Sequence, residues 1–362
     1  MHLLRSCYWG WRGENTNTIT LQPMQKFLVI QTAFIGDVVL ATALVEKLHQ
    51  HYPGAAIDFM VRKGNEGLLA HHPYLNEVLV WTKQENKYRN LFSLLRKIRS
   101  KKYDVVVNVQ RFAATGLLTA FSGAKTTIGF HKNPWSFAFT KKIKHVISTA
   151  DQPLHEVERN QLLIQELTDH IPAKPRLYPP DADYHKVRPL QQEPYICIAP
   201  ASVWFTKQFP AEKWSHFISA LPAHYTIYLL GAPSDKELCE AIKNGTTHSK
   251  VISVAGQLSL LQSTALQQFA VMNYVNDSAP MHFASAVNAP ATAVYCSTVP
   301  SFGFGPLSDE SFIVQTKEEL ACKPCGLHGH KACPLGHFRC ALTIEDEQLL
   351  ATLNAVSKTR GS

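Results

Sequence analysis

Apolar runs alternate with helix-period segments along most of the chain. A β-branched run at residues 27–31 precedes an amphipathic stretch at 38–51, and another strand-like run follows at 56–61. The largely apolar run at 103–109 is typical of a strand that a parallel sheet buries on both faces. This order predicts repeated β-α-β units.

A second series of the same kind begins near residue 195. Between the two series lies a proline-rich segment, which is typical of a linker between domains. We therefore predict an N-terminal domain at 25–170, a linker at 171–193 and a C-terminal domain at 194–350. Both domains are predicted to be doubly wound α/β units, in which ligands bind beyond the carboxyl ends of the strands.

The first 24 residues have no usable periodicity and no signal-peptide pattern. We predict that this tail is disordered, or that the natural start is Met24, because a strand pattern follows at once. No apolar run approaches the roughly 18 residues that a membrane span requires. The eight cysteines do not look like a secretory disulfide framework, so a reduced, cytosolic protein is expected.

Size and charge narrow the class of partner. A chain of 362 residues with 45% hydrophobic content is long for one core, which agrees with two domains. The formal net charge of +8 indicates an anionic partner, such as a nucleotide, a phosphorylated glycan, nucleic acid or an acidic membrane. Nucleic acid is disfavoured, because no stacking platform or finger is interleaved with the basic residues.

A candidate base follows the first predicted strand. Gly36 permits a tight backbone path, and Asp37 then lies at a helix start, where the helix dipole stabilises an ionised carboxylate. A carboxylate at the edge of an interdomain cleft suits a general base. An ordinary helix cap, which contributes about 1 kcal/mol, is the alternative.

Three segments of the second half carry candidate donor-binding groups. Ser202 and Lys207 follow its first strand and offer a hydroxyl and a cation for a diphosphate. Asp235 follows Gly231 at a helix start, where it suits either a ribose contact or a cap. No G-x-G-x-x-G fingerprint is present.

The third segment, residues 276–286, lies between two apolar runs. A strand that ends at Asp277-Ser278 and turns into a helix places backbone N–H groups, a hydroxyl and a helix dipole at one point, which suits a phosphate. His282 lies one helical turn further and can donate a hydrogen bond into the same pocket. A helix cap and a buried core histidine are the alternative.

Taken together, these motifs resemble glycosyltransferase family 9, the ADP-heptose:lipopolysaccharide heptosyltransferases. The resemblance runs from about Lys26 to Gln348 and depends on four motifs. These are Gly36-Asp37-Val38, Lys207-Gln208-Phe209-Pro210 with Trp214, Gly231-Ala232-Pro233, and Asn276-Asp277-Ser278-Ala279-Pro280-Met281-His282. It implies the GT-B architecture, in which two Rossmann-like domains face one another across a cleft.

The resemblance also implies roles. Asp37 matches the proposed base, and the donor-binding positions are matched by Ser202, Lys207, Asp235, Asp277, Ser278, Ala279 and His282. A common family form has Gly-Leu where this chain has Ala279-Pro280, which would narrow the pocket. The implied reaction transfers a heptose or related sugar from an ADP-sugar to a lipopolysaccharide core acceptor, with inversion and without a catalytic metal.

Basic residues of the first half suit an acidic acceptor. Arg62, Lys63 and Arg111 are candidate contacts for a phosphorylated, lipid-linked core sugar at the inner membrane surface. A solvated basic face is the alternative. The expected location is therefore cytoplasmic, with peripheral contact at that membrane.

Four cysteines cluster within residues 322–340. Their C-x₂-C-x₇-C-x₆-C spacing is compatible with a structural zinc site, with reduced thiols or with disulfides, and comprises Cys322, Cys325, Cys333 and Cys340. A reducing compartment lowers the expectation of disulfides.

Two other functions remain open at this point. A sugar-nucleotide epimerase of GT-B shape would bind the same donor without an acceptor and release free nucleotide. A non-catalytic nucleotide-sugar or glycan-binding module would bind the donor and turn nothing over.

Overall fold

The computed structural model describes residues 25–83, 86–149 and 151–360, with side chains to residue 356. The tail at 1–24, for which we predicted disorder or a later start, lies outside the described residues. Two lobes, each built on one sheet, account for most of the described chain. None of the helices within the described residues is long and apolar enough to cross a membrane.

The first lobe is a parallel sheet between helices. Its elements are β1 (Lys26–Ile30), α1 (Ile35–His51), β2 (Ala56–Arg62), β3 (Leu75–Trp81), α2 (Lys87–Lys101), β4 (Val105–Asn108), α3 (Ala113–Ala120), β5 (Thr126–Phe130), β6 (Lys141–Ile143) and α4 (Glu156–Gln161). The strand order is β3-β2-β1-β4-β5-β6, with β1 at the centre and paired in parallel with β2 and β4. The carboxyl ends of the strands therefore lie along one edge of the sheet.

The second lobe repeats this plan. Its elements are α5 (Asp181–Val187), β7 (Tyr195–Ala199), α6 (Ala211–Ser219), β8 (Thr226–Leu229), α7 (Lys236–Gly245), β9 (Val251–Ser253), α8 (Leu260–Gln268), β10 (Met272–Asn276), α9 (Ala279–Ala286), β11 (Ala291–Tyr295), β12 (Ser311–Gln315), α10 (Arg339–Leu342) and α11 (Asp346–Arg360). The strand order is β12-β11-β10-β7-β8-β9, again parallel. The two sheets confirm the predicted pair of Rossmann-like α/β units.

Several boundaries differ from the sequence prediction. The predicted linker at 171–193 contains α5, which packs against α8 of the second lobe. The Cys-rich segment lies between β12 and α10, and α11 runs past the predicted limit of residue 350 to Arg360. The last helix of the first lobe, α4, has only six residues.

The lobes share an apolar interface. Phe283 and Ala286 of α9, together with Leu261 of α8, belong to the same buried cluster as Val38 and Val39 of α1. Apolar burial of this kind contributes roughly 25 cal/mol per Å² and resists separation of the two surfaces. The first lobe is therefore completed by side chains from the second.

Polar contacts close the interface on one side. The His155 Nε2 atom lies 3.0 Å from the carbonyl oxygen of Gly305, and the backbone N–H of Glu156 donates to the carbonyl of Gly303 over 2.8 Å. These bonds join the segment before α4 to the loop after β11. They hold the carboxyl edge of the first sheet close to the carboxyl edge of the second.

Candidate active site

Asp37 lies in the first turn of α1, directly after the central strand β1. Burial raises the pKa of its carboxyl group, although hydrogen bonds from the backbone N–H groups of Asp37 and Phe34 lower it. Electrostatic interactions with His328 and Arg62 lower it further. Asp37 thus stabilises its own helix start, as the capping alternative required. Its raised pKa is also a property that general bases share.

The loop that carries Asp37 contacts the second lobe. A Cβ atom at Gly36 would lie only 2.8 Å from Cδ2 of His282, so no side chain fits at this position. His282 is 5% exposed and therefore cannot move aside easily. The candidate base and the candidate donor segment consequently meet across the interface.

His282 is a neutral side chain at physiological pH. Burial, followed by the nearby charges of His155 and Lys207, lowers its pKa to about 3. Its Nδ1 atom has no hydrogen-bond partner among the described residues. A neutral imidazole with an unsatisfied ring nitrogen suits a hydrogen bond to a ligand more than a charge interaction.

Lys207 and Asp277 form an ion pair at the carboxyl edge of the second sheet. Lys207 Nζ lies 2.6 Å from Asp277 Oδ2, and the Thr298 hydroxyl donates to the same oxygen over 2.7 Å. The two charged side chains are only 16% and 10% exposed. The structure therefore brings Lys207 beside the segment that contains Ser278, as a shared ligand would require.

Asn276, to which sequence reasoning gave no role, fixes this arrangement. Its side-chain amide donates to the carbonyl of Pro200 over 2.6 Å and accepts from the backbone N–H of Phe209 over 3.0 Å. The residue is fully buried. A carboxamide at the end of a buried strand was the available signal, because such a group must find partners in neighbouring loops. Ser202 lies within the same loop, where its carbonyl accepts from Gln208 Nε2 over 2.6 Å.

The start of α9 offers fewer donors than the sequence suggested. Ser278 is the N-cap residue, but its hydroxyl does not cap the helix. Pro280 has no N–H, and the N–H of Met281 donates to the carbonyl of Ser278 over 3.1 Å. Ala279 packs against the buried cluster of the first lobe. The Ser278 hydroxyl, which donates to the carbonyl of Asn276 over 3.4 Å, is thus the main polar group at this helix start.

Asp235 caps its own helix start, which was the alternative to a ribose contact. Its Oδ2 atom accepts from the backbone N–H of Ala232 over 2.8 Å, and its Oδ1 atom accepts from the Ser234 hydroxyl over 3.1 Å. Both oxygens therefore stabilise their own turn. A contact with ribose stays a prediction.

The predicted acceptor residues lie near the carboxyl edge of the first sheet. Arg62 ends β2 and stands over the ring of Phe34, 5.1 Å from its centroid, while Lys63 and Arg111 are exposed. This edge faces the same side as Asp37, since parallel strands end together. The placement agrees with an acceptor approaching Asp37 from the first lobe.

Glu156 is a neighbour of Asp37 that sequence reasoning missed. It is 8% exposed and pairs with Arg159. Burial raises its pKa to about 7; the cation of Arg159 opposes this shift and the charge of Asp37 adds to it. The sequence showed only a polar helix start, because the loop that buries Glu156 comes from the other lobe.

The Cys-rich segment contains thiols that are not assembled for metal binding. Cys322 Sγ lies 3.8 Å from His337 Nε2, and Cys325 Sγ donates to the carbonyl of Cys322 over 3.1 Å. Across the part of the chain that is described, no three His, Cys, Asp or Glu side chains are grouped so as to hold a metal ion. The structural zinc alternative stays a prediction, and the described cysteines are free thiols.

Comparison with known proteins gives a consistent result. A family model described as glycosyltransferase family 9 (heptosyltransferase) matches residues 91–335. Lipopolysaccharide heptosyltransferase 3 of Escherichia coli is 27% identical over 280 residues, which cover 73% of this chain and 82% of the relative. Lipooligosaccharide heptosyltransferase 2 of Haemophilus ducreyi is 25% identical over 319 residues, covering 80% and 88%.

Solved structures show the same fold. E. coli ADP-heptose LPS heptosyltransferase II superposes with a TM-score of 0.76 at 21% identity, covering 93% of this chain and all of that one. E. coli heptosyltransferase WaaC with ADP-2-deoxy-2-fluoro heptose gives a TM-score of 0.66 at 19% identity, covering 81% and 93%. These likenesses confirm the GT-B architecture. Because the family model spans well over half of the sequence, this chain belongs to glycosyltransferase family 9, the heptosyltransferase family.

Proposed function

We propose that this glycosyltransferase moves a heptose, or a related sugar, from an ADP-sugar to a lipopolysaccharide core acceptor with inversion at the anomeric carbon. The observation that carries the proposal is the contact between the Asp37 loop of one lobe and the His282 helix of the other. A base and a diphosphate site on opposite lobes suit an acceptor and a donor that meet between them. The names of the similar proteins support a heptose donor and a lipopolysaccharide acceptor.

The donor's leaving group needs charge stabilisation. When the bond between the sugar and the diphosphate breaks, negative charge develops on the departing ADP. Lys207 is already held within 2.6 Å of Asp277, so it can pass from that carboxylate to a phosphate with little movement. The Ser278 hydroxyl, the α9 dipole and neutral His282 supply further polar contacts in the same place.

The acceptor needs a base. Asp37 takes the proton from the acceptor hydroxyl as its oxygen bonds to the anomeric carbon, on the face opposite the leaving diphosphate. This direct displacement inverts the anomeric centre. Fixed donors carry the charge in the proposed reaction, so it requires no catalytic metal, and turnover should be unchanged when EDTA is added.

Replacement of the base tests the reaction. We expect Asp37→Asn to lower turnover by at least about 10²-fold while the dissociation constant for ADP stays close to that of the wild type. Radiolabelled sugar transfer to core glycolipid measures the first quantity, and calorimetry with ADP measures the second. Turnover near the wild-type value would show that Asp37 is a helix cap alone.

Acceptor dependence separates the proposed reaction from its rivals. The wild-type enzyme should release almost no ADP from ADP-heptose until core glycolipid is added. Release without acceptor would instead favour epimerase-like chemistry, and binding of donor without any turnover would favour a binding module.

We further propose that the first lobe meets the anionic surface of the inner membrane through α2. The helix contains no acidic residue, and its exposed side includes Arg89 and Arg96 together with Tyr88 and Phe92, which are 71% and 54% exposed. Cationic side chains attract anionic lipids, and aromatic rings lie favourably at the headgroup level. This placement would present a lipid-linked acceptor to the edge that carries Asp37.

A further inference from the structure

Part of the Cys-rich segment contacts the loop after β7 that carries Lys207. The contacting part is residues 325–331, which we call the strap. The backbone N–H of Thr206 donates to the carbonyl of His330 over 3.1 Å, and the N–H of His330 donates to the Thr206 hydroxyl over 2.7 Å. Thr206 is 1% exposed and immediately precedes Lys207. The strap is therefore bonded in both directions to the residue beside the candidate phosphate-binding lysine.

A glycine allows this close approach. Gly329 has φ +76°, and a Cβ atom there would lie 2.9 Å from Thr206 Oγ1, 3.0 Å from Lys207 Cγ and 3.3 Å from Ser297 Oγ. The position therefore demands glycine both for its left-handed backbone and for lack of space. The backbone of the strap packs directly on the stem of Lys207.

The strap is also bonded to the loop after β11. The N–H of Cys325 donates to the carbonyl of Ser297 over 2.8 Å, and the Ser297 hydroxyl donates to Thr206 Oγ1 over 3.0 Å. The next residue in this loop, Thr298, bonds to Asp277, the ion-pair partner of Lys207. The strap thus joins the two loops that hold the two charges of the pair.

We propose that the strap is a positioning element of the donor site, in which Gly329 and His330 hold Thr206 and thereby fix Lys207 against the donor diphosphate. This inference rests on the proposed donor. A displacement of about 1 Å in a group that must meet a reacting phosphate can cost about 10²-fold in rate, so such a support has a large effect. His328, the neighbour of Gly329, lies close enough to Asp37 for its charge to lower the pKa of that carboxyl, so the strap borders both partners of the reaction.

A pair of matched glycine variants tests the strap. Gly336 has φ +71° and lies in the same segment, but a Cβ atom there would meet nothing within 4 Å. Gly329→Ala and Gly336→Ala therefore introduce the same backbone strain, and only the first intrudes on Thr206 and Lys207. We expect Gly329→Ala to weaken ADP binding by about tenfold or more, while Gly336→Ala binds ADP as the wild type does. Calorimetry measures both, with circular dichroism confirming that each variant is folded.

A measurement on the wild-type protein covers the case in which Gly329→Ala does not fold. Bound ADP should slow amide hydrogen exchange at residues 328–331 and leave exchange around Gly336 unchanged. Equal ADP affinities for the two variants, or no ADP-dependent protection of the strap, would overturn the proposal while leaving the donor assignment intact. Absence of ADP binding by the wild type would overturn the proposed donor itself, and the strap's role with it.

Discussion

At the scale of single residues, the environment of Asp37 sets the pH at which this proposed base is ionised. A general base must be ionised, and burial raises the pKa of this carboxyl above its ordinary value, while the charge of Arg62 lowers it. Activity should therefore fall as the pH drops through a pKa that is higher than that of an exposed aspartate. Arg62 extends the active range downward.

Removal of Arg62 should shift the acid limb of the pH–activity curve, which is the pH range over which activity falls as Asp37 is protonated. Without the cation the ionised form of Asp37 is less stable, so its pKa rises, and the acid limb of the kcat–pH curve of Arg62→Gln should move to higher pH. Lys63 is adjacent to Arg62 and exposed, so Lys63→Gln removes a neighbouring surface cation and is the matched control. The measurement is kcat against pH for the three proteins, and a limb that stays in place in Arg62→Gln would contradict the argument.

Residue identities at the site were partly predictable. Asp37, Lys207 and Ser278 all follow predicted strands, and parallel strands bring such positions to one edge whatever the details of packing. Glu156 and the strap were not predictable in this way. Their proximity to the site depends on loops that cross between lobes or return from a distant part of the chain, and spacing along the sequence does not encode that proximity.

At the scale of elements, α2 has two faces of different character. Leu91, Leu94 and Ile98 are buried against the first sheet, whereas Lys97 forms an ion pair with Glu77 at 2.5 Å. The charge of Lys97 is thus paired within the first lobe. The exposed aromatic and basic side chains are available to a partner.

Vesicle binding tests the role of this helix. We expect the protein to sediment with anionic vesicles at low salt and to be released as salt is added, because screening weakens attraction between exposed charges. The double variant Tyr88→Ala/Phe92→Ala should bind several-fold more weakly, since it loses two interfacial rings. Phe269→Ala, which removes an exposed ring of the second lobe, is the control. Equal binding to neutral and anionic vesicles would refute the proposed contact.

Elements with a clear period were predicted well, and short ones were not. The apolar runs at β1, β7 and β10 were recognisable as strands, because strands buried on both faces need continuous apolar sequence. The helix α5 was taken for linker because prolines surround it, yet Pro180 serves as its N-cap residue and leaves its interior free of proline. Proline marked the start of an element here, whereas the prediction treated it as an interruption.

At the scale of the whole molecule, the proposed reaction requires a fixed arrangement of both lobes. Asp37 belongs to one sheet and Lys207 to the other, and the interface between α1 and α9 sets their separation. Loss of packing at this interface should therefore affect the two lobes together.

Phe283 is the residue with which to test this coupling. It is 3% exposed and packs with the first-lobe cluster, so Phe283→Ala should lower the free energy of unfolding by about 3–5 kcal/mol. Amide exchange should accelerate in α1 as well as in α9. Phe217→Ala removes a buried ring that lies wholly within the second lobe, and its effect on exchange should stay in that lobe. Faster exchange in α9 alone for Phe283→Ala would show that the lobes are independent.

The shared cluster has a consequence during protein synthesis. The ribosome completes the first sheet long before it reaches Leu261, Phe283 and Ala286, so the α1 side chains that meet these residues lack that part of their packing for more than a hundred residues of translation. A nascent chain in this condition is prone to aggregation and is a natural client for chaperones. Expression yield should then depend on how quickly the latter part of the message is translated.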